Sequence, residues 1–287
     1  MDVTRIGSAE EFLAATSAYR AAEPLRTNVM GSVAVSVATG ARAYETCFWW
    51  LVHDDAGDVL GAAMRTVPHA LSLGPMPEGA AAALASTVPA SDDSFTAVAG
   101  PEIVVDAFLA AYASAGASGS RRTVTATRRD VLHAVGQLRM PEVHGAPRVA
   151  TIDDVELAER WFTEFAAEVD GAAPRPNEGD RAALVATLRA GRLQLWERGQ
   201  AAVSMAGHAP AVATSAGVVT RVGPVYTPPE ARRHGYAAGV TAELTRRLLD
   251  RGSAVMLFAD AANPTSNGVY RGLGYDVVDV FVRRFLG

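Results

Sequence analysis

Hydrophobic and polar positions along the first half of the chain predict strands that alternate with helices. Apolar runs at Phe48 to Val52 and Val59 to Val67 flank the polar residues 54–58 and predict a hairpin. The pattern then predicts a helix from Glu78 to Ser86, a strand from Phe95 to Ala99, a helix from Gly100 to Ala115, a strand from Arg122 to Thr127 and a closing segment from Asp130 to Leu138. An α/β fold is therefore expected for this half.

The second half shows a more regular pattern. Val240, Leu244 and Leu248 lie at i, i+4 and i+8 and give one apolar face to a helix predicted from Gly235 to Asp250. The apolar run from Val255 to Phe258 is typical of a buried parallel strand. The other predicted elements are a strand from Val149 to Thr151, helices ending at Glu168 and Gly191, a hairpin of Leu193 to Glu197 with Ala201 to Ala206, a strand from Gly217 to Thr227, a helix from Pro264 to Arg271, and a strand from Tyr275 to Phe285.

The periodic pattern of hydrophobic residues is interrupted between the two halves. Two prolines and a glycine lie in the segment from Met140 to Pro147, which is typical of a linker. A chain of 287 residues suits two domains of about 140 residues each. We therefore predict an N-terminal α/β domain at residues 1–141 and a second domain at residues 146–287.

Composition narrows the possible functions. The net charge of −5 and the isoelectric point near 5.7 argue against nucleic acid as the main partner. A single cysteine, Cys47, excludes an intrachain disulfide and a cysteine-rich zinc site, so no metal is expected. No apolar run is long enough for a transmembrane helix, and the N-terminus lacks a signal-peptide pattern. A cytoplasmic protein without a membrane partner is expected.

The segment from Val222 to Gly239 carries the most informative pattern, a strand, a tight loop and the beginning of a helix. Backbone N–H groups in the first turn of a helix have no partner within it, and the helix dipole adds partial positive charge, so such a terminus binds phosphate. A glycine-rich dinucleotide motif is absent, and a Walker loop is excluded because the chain contains no lysine. An ordinary strand-to-helix connection with two exposed arginines is the alternative. The small residues and the cations of the segment are Gly235, Ala237, Ala238, Arg232 and Arg233.

Two motifs give this segment a family resemblance. Residues 232–237, Arg-Arg-His-Gly-Tyr-Ala, are similar to the Gln/Arg-x-x-Gly-x-Gly/Ala signature of the GNAT superfamily, the acetyl-CoA-dependent N-acetyltransferases. The segment from Asn263 to Tyr275 resembles the second signature of that family, in which Asn, a small residue, Tyr and a Gly-aromatic pair recur at these spacings. The resemblance covers residues 149–285 and implies a mixed, mainly antiparallel sheet flanked by helices. Because the first half has the same α/β rhythm, we expect it to be a second, degenerate GNAT-like domain.

The resemblance implies an enzyme that moves an acetyl group from acetyl-CoA to a primary amine of a small molecule or peptide by direct attack. Tyr270 is implied to be the general acid for the departing thiolate, since a phenol with a pKa of about 10 can donate to it. Tyr270 could instead be a core residue, and the two asparagines a helix cap and an exposed helical residue. The implied cofactor-binding residues are Val225, Tyr226, Thr227, Arg232, Arg233, His234, Gly235, Tyr236, Ala237, Ala238, Asn263 and Asn267.

The base that must accept the proton of the amine is not evident from the resemblance. The family often places a carboxylate on the strand at residues 218–227, and here that strand has none. We consider Glu164 and Glu168 in the preceding helix and Asp260 at the end of the next strand, each of which could instead be a surface acid. Two other functions stay open: a coenzyme A-binding sensor or regulator without turnover, and transfer of a larger acyl group. The loop from Val169 to Glu178 is expected to overhang the acceptor site.

In the first half, we interpret Ala97 to Glu102 as the crossover that corresponds to the phosphate-binding segment. Pro101 has no N–H to donate, and Glu102 adds a negative charge where phosphate would lie. We therefore expect this half to lack a cofactor site and to support the other half or shape its acceptor pocket.

Overall fold

The computed structural model describes residues 1–92, 94–114, 122–170 and 178–287, and the strands in these residues form one continuous sheet. In the first half they are β1 (Asp2–Ile6), β2 (Cys47–His53), β3 (Val59–Thr66), β4 (Leu71–Leu73), β5 (Ala97–Pro101) and β6 (Val124–Val135). In the second half they are β7 (Ala146–Val149), β8 (Leu193–Arg198), β9 (Ala201–His208), β10 (Val212–Thr214), β11 (Gly217–Tyr226), β12 (Ser253–Asp260) and β13 (Tyr275–Leu286).

Helices pack on both faces of this sheet. The first half contributes α1 (Ala9–Ala15), α2 (Ser17–Ala22), α3 (Asn28–Ala38), α4 (Glu78–Ser91) and α5 (Glu102–Ser114). The second half contributes α6 (Val155–Asp170), α7 (Glu178–Arg189), α8 (Tyr236–Leu249) and α9 (Pro264–Gly272). Among the described residues, no helix is long and apolar enough to cross a membrane.

The two halves follow the same order of elements. In each, one strand and two or three helices precede antiparallel strands, and a helix then joins two parallel neighbours, which are β4 and β5 in the first half and β11 and β12 in the second. The other pairings between described strands are antiparallel. By this order α4 corresponds to α8, and the segment from Ala97 to Glu102 corresponds to the step from β12 to α9. The interpretation of that segment as the equivalent of the phosphate-binding crossover is therefore wrong; the equivalent connection is Gly74 to Pro77, between β4 and α4.

The last strand of each half lies in the sheet of the other. β13 lies between β5 and β6, and β6 lies between β13 and β12. The strand β12 of the second half is therefore completed by a strand of the first. The linker predicted at residues 140–147 lies between β6 and β7. The domain limits at 1–141 and 146–287 stay a prediction, because the sheet itself continues across them.

Several elements differ from the prediction. The two segments predicted at Arg122 to Thr127 and Asp130 to Leu138 are one strand, β6, because its charged residues keep their places in the ladder and form ion pairs. Arg128 Nε lies 3.0 Å from Asp130 Oδ1, and Arg129 Nη2 lies 2.7 Å from Glu102 Oε1. The sequence pattern did not reveal β1, α1, α2, β4 or β10, which have three to seven residues each, and it did not reveal the eleven-residue helix α3. Residues 171–177 of the expected acceptor-side loop lie outside the described residues.

Candidate functional site

Strands β11 and β12 separate before either of them ends. Their parallel pairing runs from Val218 opposite Ser253 to Val222 opposite Leu257 and stops there, although β11 continues to Tyr226. The change coincides with Gly223, whose φ is 144°, and with Pro224, which has no N–H for a ladder. Val225 and Tyr226 still pair with β9, after a bulge. Their backbone groups on the β12 side are therefore left without a strand partner.

The open strand end leads, through the loop of residues 227–235, into a helix terminus without a cap. Gly235 is the residue before α8 and has φ 80°, a left-handed conformation that glycine adopts without strain. No side chain accepts a hydrogen bond at this terminus, and among the described residues no carbonyl accepts from the N–H groups of Tyr236, Ala237 and Ala238. Three donors and the positive end of the helix dipole therefore point out of the protein at one place.

The side chains of the β11–α8 loop, residues 227–235, divide into two groups. Arg232 donates from Nε to the carbonyl oxygen of Thr227 (2.9 Å) and pairs with Glu168. The ring of His234 stacks on that of Tyr236 at 5.4 Å between centroids, and its Nδ1 lies 2.8 Å from the carbonyl oxygen of Arg232. Arg233 is exposed, has φ 66°, and forms no ion pair within the described residues. Of the two arginines near the uncapped terminus, Arg232 is thus paired with Glu168, and Arg233 has no ionic partner among the described residues.

The two asparagines of the second motif have different surroundings. Asn263 is the N-cap of α9, and its Oδ1 accepts from the N–H of Ser266 at 3.0 Å, which is the cap that the sequence left open as an alternative. The side-chain amide of Asn267 forms hydrogen bonds within the protein through both its nitrogen and its oxygen. Its Nδ2 donates to the carbonyl oxygens of Asp260 (2.8 Å) and Asn263 (2.7 Å), and its Oδ1 lies 2.9 Å from His133 Nε2. Both amide hydrogens of Asn267 are therefore used within the protein, and the direct contact of Asn267 with the cofactor stays a prediction.

Tyr270 lies on α9 and packs against the core between α8 and the sheet. Its ring is 6.1 Å from those of His133 and Tyr275, and its hydroxyl has no hydrogen-bond partner among the described residues. Burial raises the pKa of Tyr270 to about 12. The phenol is therefore protonated at neutral pH, with its proton available to an incoming group.

A cleft of about 670 Å³ lies between α6, β9 and the beginning of the β11–α8 loop. Its charged and aromatic lining residues are Arg160, Trp161, Glu164, Glu168, Tyr226 and Glu230. Burial, followed by a hydrogen bond with Glu164, raises the pKa of Tyr226 to about 12. Two of the three candidate bases, Glu164 and Glu168, are thus brought to one cleft beside the open strand end.

The third candidate base is placed elsewhere. Asp260 ends β12, and its Oδ1 accepts from the N–H of Ala262 at 2.8 Å, as part of the turn that leads to α9. It is not among the residues that line the cleft. No group of His, Cys, Asp and Glu that could hold a metal ion occurs in the residues that the structure describes.

The corresponding connection in the first half is filled by the protein itself. The hydroxyl of Tyr19 donates to the carbonyl oxygen of Pro75 at 2.8 Å, and a Cβ added to Gly74 would lie 2.1 Å from that hydroxyl. Pro75 and Pro77 have no N–H groups, and Glu78 brings a carboxylate to the first turn of α4. This connection therefore lacks the space found before α8, and it places a negative charge at the terminus of the following helix.

Sequence reasoning missed His133, which comes from the first half and reaches the neighbourhood of Tyr270. It lies on β6 opposite Leu257 of β12, and it is 1% exposed. No motif marks it, because it occupies one position in the ordinary strand pattern of residues 131–135. Only the exchange of strands places it beside α9.

Comparisons with known proteins agree with this geometry. Residues 210–284, which run from β10 into β13, match the family model described as FR47-like protein. No curated protein sequence matches the chain. Among solved structures, the chain is similar to a GNAT-family acetyltransferase from Colwellia psychrerythraea, with 11% identity, a TM-score of 0.61 and complete coverage of both chains.

Two further structures show the same likeness. One is a tandem GNAT protein from the clavulanic acid biosynthesis pathway, with 12% identity and a TM-score of 0.58 over 99% of this chain and 98% of that one. The other is a GCN5-related N-acetyltransferase from Sphaerobacter thermophilus, with 17% identity and a TM-score of 0.56 over 82% of this chain and 79% of that one. Together with the repeated order of elements, these similarities confirm the predicted fold class, including the GNAT-like first half.

Proposed function

We propose that this protein, a chain with the tandem fold of the GNAT superfamily, transfers an acetyl group from acetyl-CoA to a primary amine. One observation carries the proposal: the end of β11 that is unpaired with β12 leads, through one loop, into the uncapped terminus of α8. An extended arm and a diphosphate, joined in one ligand, require this order of free backbone groups. In the first half, the hydroxyl of Tyr19 occupies the β4–α4 connection, which contains two prolines. This supports a single coenzyme site per chain.

The residues present fit coenzyme A. Val225, Tyr226 and Thr227 would offer backbone groups to the pantetheine arm, and Ala237 and Ala238 would offer N–H groups to the diphosphate. Arg233 is the cation with no protein partner in the described residues, so it is free to pair with a phosphate. The coenzyme supplies the activated acetyl group. Asn263 would contribute mainly by beginning α9 at the correct place, because its side chain caps that helix.

The chain's own chemistry consists of one acid and one candidate base. Tyr270 holds a proton at Oη for the departing thiolate, and burial keeps it protonated until it is needed. For the proton of the amine we favour Glu164, because it lines the cleft and, among the described residues, forms no ion pair with an arginine, whereas Glu168 pairs with Arg232. Glu164 also helps to raise the pKa of Tyr226, which belongs to the strand end that would hold the coenzyme arm.

A second function, a coenzyme A-binding regulator without turnover, has one observation in its favour. Strand β11 carries no carboxylate, and the acids of the cleft reach it from α6 and from the β11–α8 loop instead. Binding without release of thiol would support this function over the transferase. The proposal that the protein acts in the cytoplasm accompanies both functions.

A helix-terminus variant tests coenzyme binding. Ala237→Asp places a carboxylate in the first turn of α8, where it stabilises the helix but repels a diphosphate. We expect isothermal titration with coenzyme A to show about tenfold weaker binding than for Ala237→Asn, the uncharged control of the same size. Equal affinity in the two variants would remove the diphosphate from this terminus.

Turnover is tested by thiol release from acetyl-CoA with a fixed panel of amines: spermidine, tyramine, glucosamine, lysine and a dipeptide with a free N-terminus. Because the chain contains no lysine, self-acetylation is confined to the N-terminal amine, which lies 3.2 Å from Asp55 Oδ1. Substitution of acetyl-CoA by succinyl-CoA in the same assay separates acetyl transfer from transfer of a larger acyl group. Tight coenzyme binding without thiol release from any amine would favour the regulator.

A further inference from the structure

The contact between His133 and Asn267 crosses from one half of the chain to the other. His133 belongs to β6, which the first half contributes, and its Nε2 lies 2.9 Å from Asn267 Oδ1 on α9. The helix α9 has nine residues, and none of them is buried. A short surface helix of this kind depends on a few specific contacts for its position, since little apolar area holds it to the sheet.

The hydrogen bonds of Asn267 fix which tautomer His133 adopts. Asn267 Nδ2 faces two carbonyl oxygens, those of Asp260 and Asn263, so the NH₂ group must be at that end of the amide. Oδ1 is then an acceptor, and the Nε2 of His133 must donate to it. In the neutral imidazole the hydrogen is therefore on Nε2, and Nδ1, which is buried without a partner, is bare.

The same imidazole also contacts the proposed acid. Its ring centroid is 6.1 Å from that of Tyr270, at an interplanar angle of 55°. Asn267 and Tyr270 are three residues apart on α9, so they lie on the same side of the helix and face the same histidine. His133 thus holds α9 by a hydrogen bond at one position and packs on the phenol at the next turn.

We propose that His133, delivered by the first half on the exchanged strand β6, is a positioning residue for Tyr270 in the site of the second half. This rests on the proposed function, since it gives the first half a role in the same acyl transfer. The donated hydrogen of Nε2 sets the register of α9 on the sheet and thereby the place of the Tyr270 hydroxyl. His133 donates no proton from Nε2 to the substrates, because that hydrogen is committed to Asn267.

Two substitutions separate the hydrogen bond from the ring contact. His133→Gln keeps an N–H donor near the position of Nε2 and loses the ring. His133→Phe keeps a ring of similar size beside Tyr270 and loses the donor. With acetyl-CoA and the most active amine of the panel, we expect kcat to fall about tenfold in His133→Phe and to recover to within about threefold of the natural protein in His133→Gln. The dissociation constant for coenzyme A, measured by titration, is expected to change by less than about threefold in both.

A double-mutant cycle supplies the decisive comparison. In the background of Tyr270→Phe, which has no phenolic proton to place, His133→Phe is expected to lower kcat no further. An equal loss of kcat in both backgrounds would overturn the proposal, because His133 would then support the fold in general. A Tyr270→Phe variant with full turnover, or a chain that ignores coenzyme A, would instead count against the proposed function.

Further variants test whether a general loss of folding explains the fall in kcat. Asn267→Leu removes the same hydrogen bond from the other side and is expected to repeat the effect of His133→Phe, including its disappearance in the Tyr270→Phe background. Asn28→Leu is the matched control, because Asn28 is also buried in the first half and donates to the second, to the carbonyl oxygen of Val219 at 3.2 Å, away from α9. We expect it to leave kcat unchanged. A fall in kcat of the same size in this control would contradict a role specific to Tyr270.

Discussion

Arg232 in the β11–α8 loop and Glu168 near the end of α6 form an ion pair, with Nη2 of the guanidinium 2.5 Å from Oε1 of the carboxylate. Both side chains are about half exposed, at 42% and 48%. Arg232 is therefore drawn toward the cleft, while the helix terminus behind it has unpaired N–H groups. A diphosphate bound there would compete with Glu168 for the same cation.

This competition predicts the effect of Glu168→Gln on coenzyme binding. The substitution frees Arg232 for the diphosphate, and exposed ion pairs are weak, so we expect the affinity for coenzyme A to rise by about two- to fivefold at low salt. Glu230→Gln is the control, because it removes the same charge from the same cleft but from a residue that does not pair with Arg232. Titration calorimetry measures both. The same gain in the two variants would show that only net charge matters.

Substitution of the proposed acid predicts a separate loss. Tyr270→Phe removes the proton that the departing thiolate needs, so we expect turnover to fall by about 10²-fold while coenzyme A affinity is kept. Thiol release and titration measure the two quantities. Tyr112→Phe, a substitution in the core of the first half, controls for the general effect of losing a buried hydroxyl. Undiminished turnover in Tyr270→Phe would leave Tyr270 as a core residue.

Two phenols with raised pKa values predict how stability depends on pH. The pKa of Tyr270 and that of Tyr226 are each raised to about 12, against about 10 in an unfolded chain. The folded state therefore keeps protons that the unfolded state loses, and this contribution is complete below about pH 10 and disappears as pH rises toward about 12. We expect the free energy of unfolding, measured in urea at increasing pH, to fall in this window. The fall should be smaller in Tyr270→Phe, and an identical profile would contradict the assignment.

A buried ion pair in the first half predicts a large effect on stability. The Arg65 guanidinium contacts the Asp92 carboxylate, and both side chains are at most 5% exposed. Burial raises the pKa of Asp92, but hydrogen bonds from Arg65 and Ser94 outweigh it and hold the pKa below its usual value. Asp92→Ala leaves Arg65 buried without its counter-ion, so we expect a loss of about 3–5 kcal/mol in the free energy of unfolding. Replacing Arg65 by Met as well should restore part of it, and denaturant titration of both variants measures this.

Coenzyme stoichiometry tests the difference between the two halves. The β4–α4 connection contains Pro75 and Pro77, and the hydroxyl of Tyr19 occupies the space beside Gly74. We therefore expect titration with coenzyme A to saturate at one molecule per chain. Saturation at two would mean that the first half also binds the coenzyme.

Much of the second half could be predicted from local pattern. The apolar face of Val240, Leu244 and Leu248 predicted α8, and the apolar run from Val255 to Phe258 predicted a parallel strand, because burial imposes these periods on the sequence. In the first half, β1, α1 and α2 have five, seven and six residues, too few for a period to be recognised. The helix α3 is longer, but its apolar residues follow one another along the segment and do not mark one face. The corresponding crossover was misplaced for the same reason: β4 has three residues, too few for a pattern.

The sequence by itself determined the order of strands and helices in the second half, apart from β10, and it placed a helix terminus with small residues and arginines at residues 232–238, because hydrophobic period and helix-terminus donors are properties of neighbouring residues. The tertiary structure alone decided which distant residues meet. In the folded protein Arg232 pairs with Glu168, and the Asn267 amide forms hydrogen bonds at both ends. His133, from the first half, contacts Tyr270 of the second half. These contacts depend on how strands pair across the sheet. The exchange of β6 and β13 between the halves cannot be recognised in the sequence, because it produces no periodic pattern of hydrophobic residues.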